Sequence, residues 1–321
     1  MDDSETEFFS RIGIHCLRTI GKGGFGVVFE VYSDNFKLNF ALKKVPEARF
    51  NLEELECLKQ LDVPNVVQLY QYYHLDGFVY LLMEYCPNDL EKKFIHQNDM
   101  HPEQKFKYIL DCCMTVKAIH ERNIAHCDIK PANFLIDSYD RVKLADFGMS
   151  SHSSENNTCC YAKGTKLMMA PEIFFSNQYN PMKADIWALG VTIYYLTTHE
   201  YPFYSNDMDV LKQKIACACF SSKKIDNKLL VHVIERCLDR NPDTRATIFE
   251  IISLPYFTQN NQIEGQSSLL KVASRPVIVK PKPQQRMSIN DITRINRSSI
   301  ALIPTRNHFR RCASQFSDIT L

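Results

Sequence analysis

The chain has 321 residues, 45% of them hydrophobic and 23% charged, enough for one large domain or two lobes with a substantial core plus an appendage. Its net charge of +1 conceals an asymmetry: residues 258–321 hold ten Lys and Arg against three Asp and Glu, a balance of +7, which leaves −6 for residues 1–257. A mildly acidic body with a basic appendage argues against a nucleic-acid-binding fold. The acidic start Met1-Asp2-Asp3-Ser4-Glu5 is no signal peptide, and the longest apolar run, the eleven residues from Ile186 to Leu196, is too short to span a bilayer as a helix.

In chain order, residues 14–45 predict three short strands. Val27-Val28-Phe29-Glu30-Val31-Tyr32 is β-rich and follows a glycine turn, and Phe40-Ala41-Leu42-Lys43 makes another strand. Leu52, Leu55, Leu58 and Leu61 form a helical stripe. Two more strands are expected near Val66–Tyr73 and Phe78–Glu84, then a linker near Cys86-Pro87-Asn88. From Pro102 onward the pattern turns helical, with helices from about Glu103 to Glu121 and from about Lys183 to Thr198. This is an α+β chain with a small β-rich lobe, a larger helical lobe and no internal repeat. After Pro255-Tyr256-Phe257 the composition shifts to Ser, Thr, Asn, Gln and Arg, and Lys280-Pro281-Lys282-Pro283 blocks regular structure. Residues 258–321 are therefore expected to be a largely disordered tail. The twelve cysteines include no Cys-x-x-Cys pair, so zinc is unsupported, and reduced thiols in a cytoplasmic protein, with the nucleus as the alternative, are the simpler reading.

Chemistry is concentrated in His126-Cys127-Asp128-Ile129-Lys130-Pro131-Ala132-Asn133, followed thirteen residues after Asn133 by Asp146-Phe147-Gly148. Moving a phosphoryl group from ATP to a hydroxyl needs these residue types. One carboxylate holds the hydroxyl and takes its proton, an amide and a second carboxylate hold magnesium, and a lysine offsets charge on the phosphate. Gly21-Lys22-Gly23-Gly24-Phe25-Gly26 fits Gly-x-Gly-x-x-Gly, a weak signal alone and equally that of a plain glycine hairpin. A dinucleotide-binding fold would need a helix directly after it, whereas Val27–Tyr32 reads as a strand, which excludes an oxidoreductase of that kind.

The Asp128 loop resembles the catalytic loop of the eukaryotic-type protein kinases, and Asp146-Phe147-Gly148 their metal-binding motif. The resemblance runs from about residue 14 to 257. It implies a bilobal protein kinase-like fold with an N-terminal extension at 1–13, an N-lobe at 14–86, a C-lobe at 87–257 and the tail at 258–321. It implies ATP and Mg2+, with Asp128 as base, Lys130 as phosphate-stabilising cation, and Asn133 and Asp146 on the metal. Gly21, Gly23 and Gly26 would bring backbone N–H groups to the phosphates, and Lys43 would contact the α- and β-phosphates. Glu54 is the expected partner of Lys43, with Glu53 and Glu56 as rivals. Leu81-Leu82-Met83-Glu84-Tyr85-Cys86 resembles the strand under the adenine: Met83 beside the base, the Glu84 carbonyl and Cys86 backbone hydrogen-bonded to it, and Asp89 facing the ribose. Val28, Ala41 and Leu135 complete the implied ATP-binding set. Glu172 in Ala170-Pro171-Glu172 would pair structurally with Arg245, and Asp185 would hold the catalytic-loop backbone. Lys130 resembles the Ser/Thr rather than the tyrosine kinases, so protein Ser/Thr hydroxyls are the expected acceptors. The alternative is a pseudokinase, a nucleotide-binding scaffold.

Some positions depart from the pattern. Cys127 stands where many kinases carry an arginine that binds an activation-loop phosphate, so activity is expected not to need phosphorylation within Ser150–Cys160. A small packed residue is the favoured reading of Cys127 over a redox handle. Met168-Met169 makes an apolar wall to the acceptor pocket. Ala132 and Tyr195 stand where basophilic kinases carry glutamates, which argues against a strong preference for arginine upstream of the acceptor. In the tail, Arg310-Arg311-Cys312-Ala313-Ser314 resembles a basophilic phosphorylation site, and Ser288 and Ser298 follow arginines; a regulator-binding arm and an inert linker are about equally supported. No nucleic-acid partner or membrane span is expected.

Overall fold

The computed structural model describes residues 1–23, 26–61, 63–96, 100–152 and 164–259. A helix, α1 (Asp3–Arg11), opens the chain, with its N-terminus closed by a capping box in which Glu5 N–H donates to Asp2 and Asp2 N–H to Glu5. Five antiparallel strands follow: β1 (Ile14–Gly23), β2 (Gly26–Ser33), β3 (Leu38–Pro46), β4 (Leu69–Leu75) and β5 (Phe78–Glu84), in the spatial order β1-β2-β3-β5-β4. The β4–β5 hairpin turns at Asp76-Gly77, both with positive φ (49° and 76°), the backbone an Asp-Gly pair suits. Between β3 and β4 lies α2 (Leu52–Gln60), which starts at the first leucine of the stripe.

Alternation along the strands gives the sheet two faces. Phe29, Val31, Phe40, Leu42, Tyr80 and Leu82 form one apolar cluster with Phe9 of α1. Leu81 and Met83 face the other way, into the main core with Leu55 and Leu58 of α2. β6 (Asn88–Asp89) and α3 (Leu90–His96) lead into the helical lobe. α4 (Pro102–His120) starts with proline at its first position, where a missing N–H is harmless. β7 (Ile124–Ala125), β8 (Phe134–Ile136), β9 (Val142–Leu144) and β10 (Ser151–His152) form two small sheets, β6-β8-β9 and β10-β7. After α5 (Pro171–Phe175), α6 (Pro181–Thr198) is buried on nearly every side, as an apolar helix with no polar stripe must be. α7 (Met208–Cys217), α8 (Lys228–Cys237) and α9 (Ile248–Ile252) complete the lobe. The fold is bilobal and α+β, as the sequence pattern implied.

One expectation fails. Cys217 and Cys219 form a disulfide, whereas the cysteine pattern favoured thiols throughout. The reason is local: α7 ends at Ala218 in the left-handed region (φ 56°), and that turn brings the two Cα atoms to 5.3 Å. The other seven described cysteines carry thiols. The tail residues singled out in the sequence lie outside the described residues, as do Gly24, Phe25 and residues 153–163.

Candidate active site

The inner face of the sheet builds the first half of the site. Alternation puts Ala41 and Lys43 of β3 on one face, and pairing sets Val28 opposite Lys43 and Met83 opposite Ala41 on that same face. Lys43 is buried, and its Nζ donates to Glu54 Oε1 at 2.7 Å and to Asp146 Oδ1 at 2.8 Å. Burial alone would lower the Lys43 pKa, but the two carboxylates outweigh it and hold the ammonium above its ordinary value. Asp146 is the converse case: burial alone would raise it, and the charge and hydrogen bond of Lys43 pull it below the usual carboxylate value. Glu56, on the same helix as Glu54, is exposed. Gly21 and Gly23 end β1, with Gly23 paired across to Gly26. Gly26 sits at φ +140°, and a Cβ there would lie 2.0 Å from the Lys44 carbonyl oxygen, so only glycine lets the start of β2 lie against β3.

Around the linker, Met83 packs into the main core and Cys86 is half-buried. Burial, with the Glu84 carboxylate, pushes the Cys86 thiol up to about 12, which makes it a packing residue and not a nucleophile. Leu135 of β8 pairs with Asp89 of β6 and Lys143 of β9. Asp89 caps α3: its Oδ1 accepts the Lys92 N–H at 2.8 Å and its Oδ2 pairs with Lys92 Nζ at 2.8 Å. A ribose hydroxyl there would share an engaged carboxylate. Sequence reasoning missed Lys143. Its buried Nζ bonds Glu84 Oε2 at 2.9 Å and the Pro64 carbonyl at 2.9 Å, tying the linker strand to the turn after α2. No local pattern marks it, because both partners are far away in sequence.

The catalytic-loop half converges on Asp128, which is buried. Its Oδ1 accepts from the Thr165 N–H and hydroxyl, both at 2.9 Å. Its Oδ2 accepts from Lys130 Nζ at 2.6 Å and Asn133 Nδ2 at 3.2 Å. Lys130 also reaches Thr165 Oγ1 at 3.1 Å, and Asn133 Nδ2 donates to the Asp128 carbonyl at 2.8 Å. Thr165 is a second residue the motifs did not single out for this role. Below the loop, Asp185 of α6 accepts the N–H groups of His126 (2.7 Å) and Cys127 (2.8 Å) and bonds His120 Nε2 at 3.0 Å. Those bonds hold Cys127 at φ 64°, a conformation a side chain rarely adopts. Gly164 lies against this bend: a Cβ on it would sit 2.6 Å from the Cys127 carbonyl oxygen. The Cys127 sulfur lies 3.6 Å from Ser151 Oγ, between the loop and β10.

Asp146 has a left-handed backbone (φ 66°, ψ 68°), and Phe147 after it is fully buried, edge-on to His126 at 4.9 Å. The Ala145 N–H donates to the Asn133 carbonyl at 3.0 Å, which sets the two loops side by side. Asn133 uses its Nδ2 on Asp128, so its amide oxygen and the Asp146 carboxylate are the hard donors left for a metal. Such a sparse oxygen set suits magnesium, which keeps several waters and takes phosphate oxygens as further ligands. Among the described residues, no group of three or more His, Cys, Asp or Glu is arranged to hold a metal. Glu172 and Arg245 form a buried two-pronged pair at 2.6 and 2.8 Å. Beside Asp128 a pocket is lined by Thr165, Met168, Met169, Ile173 and Tyr179, with both methionines buried. Ala132 and Tyr195 put no acidic group near the loop; Tyr195 is buried against Tyr201.

Comparison with known proteins agrees with this geometry. Residues 14–257 match the model of the protein kinase domain. The chain is 29% identical over 269 residues to serine/threonine-protein kinase ULK3 of Rattus norvegicus, covering 79% of this chain and 57% of that protein. It is 27% identical over 286 residues to sperm motility kinase 1 of Mus musculus, covering 86% and 58%. It is 32% identical over 255 residues to an Aurora kinase of Eremothecium gossypii, covering 76% and 68%. The chain therefore spans little more than half the length of the first two relatives.

Proposed function

The chain belongs to the protein kinase family, and we infer from that premise that it transfers the terminal phosphoryl group of ATP to Ser and Thr hydroxyls of protein substrates. One observation carries the reading: the Asp128 carboxylate is fixed by Lys130, Asn133 and Thr165, while Lys43 bridges Glu54 and Asp146. Both halves are preorganised, which fits a reaction driven by positioning and electrostatics. The four catalytic groups and the Lys43–Glu54 pair leave nothing to favour a pseudokinase.

In this mechanism the acceptor hydroxyl hydrogen-bonds to Asp128. Its oxygen bonds to the γ-phosphorus as the bond to the β–γ bridging oxygen breaks, ADP leaves, and the hydroxyl proton passes to Asp128. Lys130 lies beside Asp128 and offsets charge on the transferring group. Lys43, kept charged by Glu54, draws the α- and β-phosphates inward, and the Gly21–Gly26 turn covers them. Magnesium, held by Asn133 and Asp146, would neutralise phosphate charge. Val28, Ala41, Met83 and Leu135 would enclose the adenine, the Glu84 and Cys86 backbone would bond it, and Asp89 would meet the ribose. Lys130 and Thr165 beside the base favour an aliphatic hydroxyl. With Cys127 in the loop, no loop arginine is available to bind an activation-segment phosphate, so activity does not depend on one. Docking or context, rather than upstream arginines, selects substrates.

The test is direct. Purified protein with labelled ATP, magnesium and a generic Ser/Thr substrate should transfer label. Asp128→Asn should lose on the order of 10²–10⁴ in turnover yet still bind nucleotide. Equal activity of the two proteins would defeat the reading.

A further inference from the structure

The helix α1 precedes the segment that matches the family model, yet two of its side chains, Glu5 and Phe9, are among the most buried in the small lobe. Phe9 is 1% exposed and packs against Tyr73 and Tyr80 on the outer face of the sheet, at 5.5 and 5.0 Å between ring centres. Glu5 is also 1% exposed, an unusual position for a carboxylate in a nine-residue terminal helix. Its Oε2 closes the capping box with Asp2, and its Oε1 forms an ion pair with Lys44 Nζ. The same ammonium lies 3.9 Å from the centre of the Phe78 ring.

Lys44 is the neighbour of Lys43 on β3. Alternation sends the two side chains to opposite faces, Lys43 to Glu54 and Asp146, Lys44 to Glu5. Gly26, at the start of β2, leans on the Lys44 carbonyl oxygen with no room for a Cβ. One residue thus joins α1, the strand carrying Lys43 and the turn expected over the phosphates. We propose that Glu5 is a positioning residue: through Lys44 it fixes β3 and the glycine turn, so α1 is a working part of the nucleotide grip. This rests on the kinase reading for what the grip holds. Glu5 touches neither nucleotide nor acceptor, and its ion pair with β3 is made through Lys44. A buried, charged clamp fits this role better than apolar packing would, because its geometry is directional and an unpaired partner left in place is costly.

The experiment uses the full chain. Wild type, Glu5→Gln, Lys44→Met and the double variant are compared for transfer at varied ATP and for equilibrium binding of a fluorescent ATP analogue, well below each unfolding midpoint. Coupling of this kind changes affinities by about two-fold to about thirty-fold. Glu5→Gln should raise KM for ATP and the analogue Kd by about five-fold, with kcat within about two-fold. The double variant should be no worse than Lys44→Met, because the two residues act as one unit. Asp2→Ala, which opens the same capping box without touching Lys44, should lower the unfolding midpoint and leave KM and Kd alone. If Glu5→Gln lowers only the midpoint, with KM and Kd as in wild type, the proposal is wrong and α1 is mere packing. A wild type that binds the analogue but transfers no phosphate would count against the kinase reading, and the Kd comparison would still decide the role of Glu5.

Discussion

At the scale of single residues, the site depends on charges held in pairs. Asp146 has a folded-state pKa below its ordinary 3.8, against burial and because of Lys43. A carboxylate lowered on folding stabilises the folded state above the unfolded value and loses that contribution as pH falls through the folded one. The stability gap between wild type and Asp146→Asn should therefore be constant from neutral pH to about pH 4 and shrink below it. Urea melts across that range would show it, and a gap that widens in acid would contradict the pairing. Cys127 sits at positive φ where many kinases carry arginine, and no cation on it can answer a phosphate. Thr158→Ala, in the segment outside the described residues, should keep turnover within about ten-fold of wild type, and a loss on the order of a hundred-fold would refute phosphate-independent activity.

Element by element, the sheet and the helices α2, α4 and α6 were readable because they follow simple periods. β2 announces itself locally after its glycines, and α6 is legible as an apolar run; the structure adds Asn180 as its cap, whose side chain accepts the first free N–H groups. The N-terminal helix was not read, since residues 1–13 look like a polar extension until Phe9 and Glu5 find the sheet. Lys143 was invisible for the same reason. It links β9 to β5 and to the turn after α2, and a lysine at one position of a short strand carries no period. Lys143→Met should cost about 1–3 kcal/mol, because the Pro64 carbonyl and Glu84 are left without their donor. Chemical denaturation measures this; a neutral result would mean the bridge contributes nothing net.

Across the whole molecule, distant segments are joined by buried polar pairs. Arg245, fully enclosed, binds Glu172 with both prongs, donates to the Lys183 and Asp239 carbonyls, and lies 5.2 Å from the Trp187 ring centre. Removing one partner strands a buried charge, so Glu172→Gln should cost about 3–5 kcal/mol and lower the melting temperature of a domain this size by roughly 6–20 °C. A shift under about 2 °C would show the pair to be dispensable. Asp185 works at the same range: from the middle of the C-lobe it holds the bend at Cys127, against which Gly164 of a third segment fits.

The order of residue types already pointed to a two-lobed protein kinase, because Asp128, Lys130, Asn133 and Asp146 stand where the motifs this chain resembles carry them, and the strand and helix periods are local properties of the chain. Which glutamate meets Lys43, that Thr165 grips the catalytic carboxylate, that Cys217 and Cys219 bond and that the first helix joins the sheet were decided only by the folded chain. Each of those depends on approach in space between atoms of residues whose neighbours in sequence give no sign of it, and burial and charge pairing select among them only once the layers have packed.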